Sequence, residues 1–329
     1  GMITEQSTVR EHPLGKMGER TVGYERRDEN GYFTRVGLEG AFSNYLRGTD
    51  GRRLKQKIAK GQWKPISDNN EMEPKDGYDV ISTIDVNIQD IAHHSLLRQL
   101  EHFEADHGTV VVMETATGEI KAMSNLGRTE DGTYFEKRNY AVYEAHEPGS
   151  TFKLMAMVAA LEDEVVDTSQ VIDTEKGVVR FYGRPVRDSH HGGYGEISVA
   201  KAFELSSNTA FTKMITEGYR NDPSKFVDRL YDMGLNDKIG LEIKGEGSPR
   251  IPHPQDKSWN GLSLPWMAFG YGVAITPLQT LTFYNAIAND GEMIKPRFIK
   301  AVKDRDKSII TMDKQVMNPS ICSPETAAM

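Results

Sequence analysis

Cysteine is all but missing from these 329 residues. The single one, Cys322, excludes an internal disulfide and every metal site built from several cysteines. It leaves the cellular compartment open. No run of about 18 apolar residues occurs, so no stretch reads as a membrane-spanning helix, and no signal peptide opens the chain. Gly1 directly before Met2 reads as the remnant of a removed tag, which leaves room for an anchor or signal ahead of it. Positive charge is not in excess either. Forty Lys and Arg against 48 Asp and Glu give a formal net charge of −8, which argues against nucleic acid as the main partner. Internal repeats and low-complexity tracts are absent. The length allows two domains, or one large domain with an appendage.

The first 77 residues are polar and glycine-rich. Arg10–Gly15 and Thr21-Val22-Gly23-Tyr24 read as short extended pieces, Gly37 to Gly48 as a short helix, and Trp63 to Asp76 as a polar connector. Such a segment would struggle to bury a core alone, so residues 1–77 are expected to form a pedestal leaning on residues 78–329. From Tyr78 the apolar density rises. Asp79 to Ile84 has a strand pattern, and Asp85 is placed to cap an amphipathic helix reaching about Glu101. Thr109–Glu114 and Glu119–Met123 flank a turn at Gly118 and predict a β-hairpin. Ser198 is expected to cap a helix to Leu205, Ser206-Ser207-Asn208 to interrupt it, and Thr209 to Tyr219 to resume it. Ser224 is expected to open a helix to Met233. Pro277 to Ala288 reads as a buried helix, Phe298 to Ile310 as a hairpin, and Pro324 to Met329 as a helix start. The fold class is therefore α+β, with helices packed on an antiparallel sheet.

Glu147-Pro148-Gly149-Ser150-Thr151-Phe152-Lys153 leads into Leu154–Leu161, a helix apolar on nearly every side. Ser150 and Lys153 are three apart and share a face. A lysine in such a helix has its charged form disfavoured by desolvation, and the helix dipole at this end acts in the same direction. A partly neutral lysine one turn from a serine is a candidate general base for a nucleophile. The bland alternative makes Ser150 a helix cap or first-turn residue and Lys153 a snorkelling side chain. Ser-x-x-Lys alone does not choose between them, and a second copy stands at Ser198–Lys201.

Taken together the pieces resemble the transpeptidase module of class B, monofunctional penicillin-binding proteins. The superfamily's motif set is Ser-x-x-Lys, then Ser-x-Asn, then Lys-Thr-Gly. Here the first is Ser150-Thr151-Phe152-Lys153 behind Glu147-Pro148-Gly149, and the second is Ser206-Ser207-Asn208. Asp188 through Gly195 to Ser198 looks like the family's approach to the second motif. Phe269-Gly270-Tyr271-Gly272 to Gln279 is similar to the stretch ahead of the third. Gly37-Leu38-Glu39 through Gly51 looks like its junction of pedestal and catalytic domain, and Thr83-Ile84-Asp85 with Gln89 like its opening helix. Ser198–Lys201 lacks the Pro-Gly entry, so Ser198 is read as a cap. One departure stands out: no Lys-Thr-Gly, Lys-Ser-Gly or Arg-Thr-Gly occurs. The order of the motifs places it beyond Met329. The family's five-stranded sheet is then expected to lack its C-terminal strands here, leaving an open edge that invites pairing, and catalysis by these residues alone is expected to be impaired.

The resemblance implies acyl transfer on peptidoglycan stem peptides ending in D-alanyl-D-alanine. Ser150 is the nucleophile, Lys153 takes its proton, Ser206 passes a proton to the leaving D-alanine, and Asn208 holds the substrate amide and Lys153. The Ser150 N–H is an oxyanion donor. β-Lactam antibiotics acylate the same serine, and neither metal nor organic cofactor is needed. The resemblance further implies one N-terminal anchor in the inner membrane, an extracytoplasmic catalytic domain, and partners among membrane-embedded glycosyltransferases and division proteins. Ser206-Ser207-Asn208 and Phe269-Gly270-Tyr271-Gly272 look more like the septal than the elongation branch. A serine β-lactamase shares the first two motifs but not the pedestal. A non-catalytic β-lactam sensor or division scaffold is the reading from another class.

Other features weigh less. His190-His191 with Asp188, and His93-His94 with His102, lack a third ligand at a telling interval for a metal. Gly245-Glu246-Gly247 and Gly270-Tyr271-Gly272 lack the strand-then-helix setting of a phosphate loop. Met155 and Met157 read as core filling. Trp259 and Trp266 read as packing rather than substrate contacts.

Overall fold

A computed structural model describes residues 11–66 and 71–329. The N-terminal part holds α1 (Glu19–Val22), β1 (Tyr24–Arg27), β2 (Phe33–Val36), α2 (Gly37–Ala41), α3 (Ser43–Leu46), β3 (Lys55–Ala59) and β4 (Gln62–Pro65). Three expectations fail here. The described part of Arg10–Gly15 is not extended but turns, with Gly15 N donating to His12 O at 2.9 Å. Thr21 and Val22 are helical rather than extended, because Gly18 enters a left-handed conformation and Val22 N then donates to Gly18 O at 2.8 Å. Trp63 is not part of a loose connector. It sits on β4 opposite Lys57, whose ammonium lies 6.0 Å from the indole centre, in a hairpin turned at Gly61 (φ 78°). Arg10 and residues 67–70 of the expected pieces lie outside the described residues. The Gly37–Gly48 helix forms as two short helices that meet at Phe42.

β5 (Asp79–Ser82) leads to α4 (Val86–Phe103), and the Asp85 carboxylate caps α4 by accepting from Asn87 N at 2.9 Å and Ile88 N at 3.1 Å. α4 packs on the antiparallel pair β6 (His107–Met113) and β7 (Ile120–Arg128), which continues to β8 (Tyr134–Phe135). Gln89, buried on α4, exchanges two hydrogen bonds with the Met123 backbone of β7, at 2.8 and 2.9 Å. Glu136, just past β8, ties α1 to this sheet. Its carboxylate accepts from Arg20 N at 2.6 Å and Asn125 N at 3.1 Å, and burial pushes its pKa up to about 7. Farther along come α5 (Tyr140–Tyr143), the 3₁₀ turn Gly149–Phe152 and α6 (Lys153–Glu162).

The lobe above α6 is built from β9 (Val171–Asp173), the hairpin β10 (Val178–Phe181) and β11 (Arg184–Arg187), β12 (Glu196–Ser198), α7 (Val199–Glu204), α8 (Asn208–Gly218), α9 (Pro223–Asp232) and α10 (Ser263–Met267). Ser198 caps α7 as expected, accepting from Lys201 N. α9 is capped by Asp222 rather than Ser224, because Pro223 is pre-set for the first helical position. α11 (Pro277–Ala288) is held by a capping box between Thr276 and Gln279. β13 (Met293–Ile294), β14 (Ile299–Asp304), β15 (Lys307–Thr311), β16 (Val316–Asn318) and α12 (Pro324–Ala328) complete the chain.

The larger sheets among the described residues are two three-stranded ones, β15-β14-β5 and β6-β7-β8. They meet where Thr83 Oγ1 donates to Ile120 O at 2.7 Å and Ile120 N to Arg297 O at 3.0 Å. Among the described residues β6 is paired along one side only, to β7. Two cores follow. One surrounds α6, where Met155, Ala156, Ala159 and Ala160 are fully buried and pack with Phe211, Ile215 and Phe226. The other joins Leu38 and Phe42 of the N-terminal part to Ile120, Met123, Phe298 and Val302. No helix among the described residues is long and apolar enough to cross a membrane.

Candidate active site

Burial of α6 on every side follows from its sequence, and it forces one awkward consequence. Lys153, its first residue, is 1% exposed. Its ammonium is compensated by acceptors instead of water: Ser206 O at 2.6 Å, Asn208 Oδ1 at 2.7 Å, Ser206 Oγ at 3.0 Å and Ser150 Oγ at 3.2 Å. The Phe211 ring centre lies 5.6 Å from Nζ. An ammonium has three protons for these four oxygens, so the longest contact, to Ser150, is the one it serves least. A neutral amine would keep two donors for Ser206 O and Asn208 Oδ1 and turn its lone pair toward a hydroxyl. Desolvation lowers the Lys153 pKa to about 8, against the opposing field of Asp188.

All four sequence candidates, Ser150, Lys153, Ser206 and Asn208, thus converge on one point. Ser150 lies in the 3₁₀ turn rather than acting as a cap, and its side chain is exposed while Phe152 anchors the turn at 0% exposure. Ser206 reaches Nζ with both of its oxygens because it occupies a left-handed conformation (φ 53°), a strained state for a serine. Ser206 N donates to Phe203 O and Ser207 N to Ala202 O, which closes α7. Ser207 then caps α8, and Asn208 Nδ2 donates to Arg187 O at 2.8 Å. The competing pair does not form: Ser198 Oγ accepts from the Lys201 backbone, and Lys201 Nζ turns to Glu204 at 2.6 Å.

Two supports of the site stand in stretches that carry the family resemblance, but no local pattern gives them a role. The first is Asp188, onto which Ser207 and Thr209 converge. The second is the segment 269–275, which runs behind the nucleophile turn. Gly149 N donates to Gly270 O at 3.1 Å, Gly272 N to Glu147 Oε1 at 2.8 Å, and His146 and Ile275 exchange backbone bonds. On the other side of the turn, Tyr284 OH donates to Thr151 O at 3.0 Å. Trp266 packs on Phe269 and the β10–β11 hairpin, and Trp259 on the α6 core. His190 bonds its own loop at Gly193 O and stacks on Tyr194.

Residues 108–329 match the family model described as the penicillin binding protein transpeptidase domain. The chain is 27% identical to stage V sporulation protein D of Bacillus subtilis, over 99% of this chain and 50% of that protein. It is 28% identical to the probable peptidoglycan D,D-transpeptidase PenA of Neisseria meningitidis, over 93% of this chain and 52% of that one. The chain therefore spans about half the length of the curated relatives it matches. Among solved structures, penicillin-binding protein 3 of Mycobacterium tuberculosis in complex with aztreonam superposes with a TM-score of 0.75 at 27% identity. That match covers 97% of this chain and 66% of that one.

Proposed function

The chain belongs to the penicillin-binding protein transpeptidase family, and on that premise we propose that it carries the acyl-transfer site of a class B peptidoglycan D,D-transpeptidase of the septal branch. The observation that carries the reading is the Lys153 amine held between Ser150 Oγ at 3.2 Å and Ser206 Oγ at 3.0 Å. Ser150 Oγ attacks the carbonyl carbon between two D-alanines while its proton passes to Lys153 Nζ. The tetrahedral oxyanion is met by the Ser150 N–H at the start of the helical segment. The C–N bond then breaks, and the departing D-alanine amine takes a proton through Ser206. An amine of a second stem peptide attacks the Ser150 ester, forms the cross-link and returns the serine. Asn208, fixed by Arg187 O, offers its amide to the substrate backbone.

A β-lactam would acylate the same serine, a reading supported by the aztreonam complex of the mycobacterial relative. Residues 1–77 serve in this proposal as a pedestal for a transpeptidase domain over 78–329, and an N-terminal anchor would hold that domain outside the inner membrane. Glycosyltransferase and division partners belong to the same proposal. The test is release of free D-alanine from a stem pentapeptide. Release by the parent and none from Ser150→Ala is the expected result. Rapid turnover of penicillin would instead favour a β-lactamase, and acylation without any D-alanine release a sensor.

A further inference from the structure

We propose that Asp188 is the positioning residue of this site, fixing the Ser206–Asn208 turn against Lys153. The inference rests on the acyl-transfer reading for its catalytic meaning, and on geometry for its substance. The Asp188 carboxylate receives Thr209 Oγ1 at 2.7 Å, Thr209 N at 3.0 Å and Ser207 Oγ at 3.1 and 3.2 Å to its two oxygens. Ser207 and Thr209 are fully buried. Each hydroxyl has one proton to give. Ser207 Oγ already accepts from Ala210 N as the α8 cap, and Thr209 N–H at the helix start has no intrahelical carbonyl. A carboxylate, all acceptor, satisfies these donors at once; a carboxamide would turn an NH₂ toward one of them.

This anchoring explains why Ser206 stays strained. Its left-handed conformation aims the carbonyl at Nζ and is pinned from one side by the Phe203 and Ala202 carbonyls. Asp188 holds Ser207 and Thr209, on either side of Asn208, from the other. Asp188 N in turn donates to Gly177 O at 3.0 Å, so the backbone that carries the carboxylate is itself held. Of the charged side chains on the elements around Lys153, Asp188 is the one whose field registers on the ammonium. It opposes the desolvation that burial imposes. Arg187, its neighbour, contributes a backbone carbonyl to Asn208.

The test uses the whole chain with lysine labelled at the ε-carbon, the Lys153 signal being assigned by its loss in Lys153→Arg. Titration by NMR is followed alongside acylation by a fluorescent penicillin. In Asp188→Asn the Lys153 midpoint is expected to move to lower pH, and the acylation rate on the pH plateau to fall about tenfold or more, as charge-assisted bonds are lost. Thr209→Val removes one bond and keeps the charge. It should slow acylation while leaving the lysine midpoint near the parent's, and it decides the matter if Asp188→Asn does not fold. A plain structural role would lower melting temperature without moving the midpoint. An unmoved midpoint with a parental rate in Asp188→Asn, or a parental rate in folded Thr209→Val, overturns the proposal. A moved midpoint in a protein that never acylates would keep Asp188 as the positioning residue and sink the acyl-transfer reading instead.

Discussion

Replacing Lys153 by methionine is expected to slow acylation by a penicillin about 10²- to 10⁴-fold, the range a positioned general base contributes. The parent's rate should also rise with pH through a midpoint near 8, because desolvation of Lys153 lowers its pKa to about that value. Only the neutral amine has a lone pair for the Ser150 proton. At pH 6 roughly one molecule in a hundred holds it, so the rate there should be about a hundredfold below the plateau. Lys153→Arg separates charge from basicity, since a guanidinium keeps the cation but does not release it. It should be as slow as methionine at every pH. The same shift links to stability. Below about pH 8 both folded and unfolded chains carry the proton, and the buried cation is unfavourable in full. Between about 8 and the ordinary lysine value the unfolded chain holds the proton and the folded one does not, so stability rises with pH. A flat acylation profile from pH 6 to 9, or an Arg variant at the parental rate, would remove Lys153 from the base role.

Gly270→Ala should be nearly as damaging, although residue 270 touches no reacting group. Gly270 has φ 86°, and a Cβ there would sit 1.9 Å from Gly149 O. That oxygen is backbone, so it cannot swing aside as a side chain would. Either the 269–272 loop lifts or the nucleophile turn shifts, and a misplacement of about 1 Å can lose about 10² in rate. Strain at such a φ adds about 1–3 kcal/mol of destabilisation. Gly272 makes the comparison, because it shares a positive φ (74°) but has open space at its Cβ position. Gly272→Ala should lose stability by strain alone and keep most of its rate. Acylation rates and chemical unfolding of the two variants side by side check this. Equal rates in both would mean that the loop does not brace the serine.

The parts of the site set by short spacing were legible in the sequence. Ser150 and Lys153 are one helical turn apart, and the all-round apolar run after them implies burial. Ser206-Ser207-Asn208 could be seen as a break between two helices, but not that Ser206 would turn left-handed and offer its carbonyl to Nζ. Asp188 stands 19 to 21 residues from the groups it holds, and Gly270 more than a hundred from the turn it braces. Such contacts depend on how the lobes close on α6, which no local pattern encodes. The misread helix at Thr21–Val22 has the same origin. Thr21 and Val22 are β-branched and favour a strand by themselves, and Gly18 and Gly23 together with the close approach of Val36 override that preference. Trp63 reads as part of a connector because its partner, Lys57, lies across a turn rather than beside it in a periodic run.

Whether Ser150 is the nucleophile is read from the mass of the intact protein after incubation with a penicillin, followed by peptide mapping. One adduct per chain is expected, located on Ser150 and missing from Ser150→Ala. An adduct on another residue, such as Ser198, or an adduct that persists in Ser150→Ala, would contradict it. So would an unmodified parent.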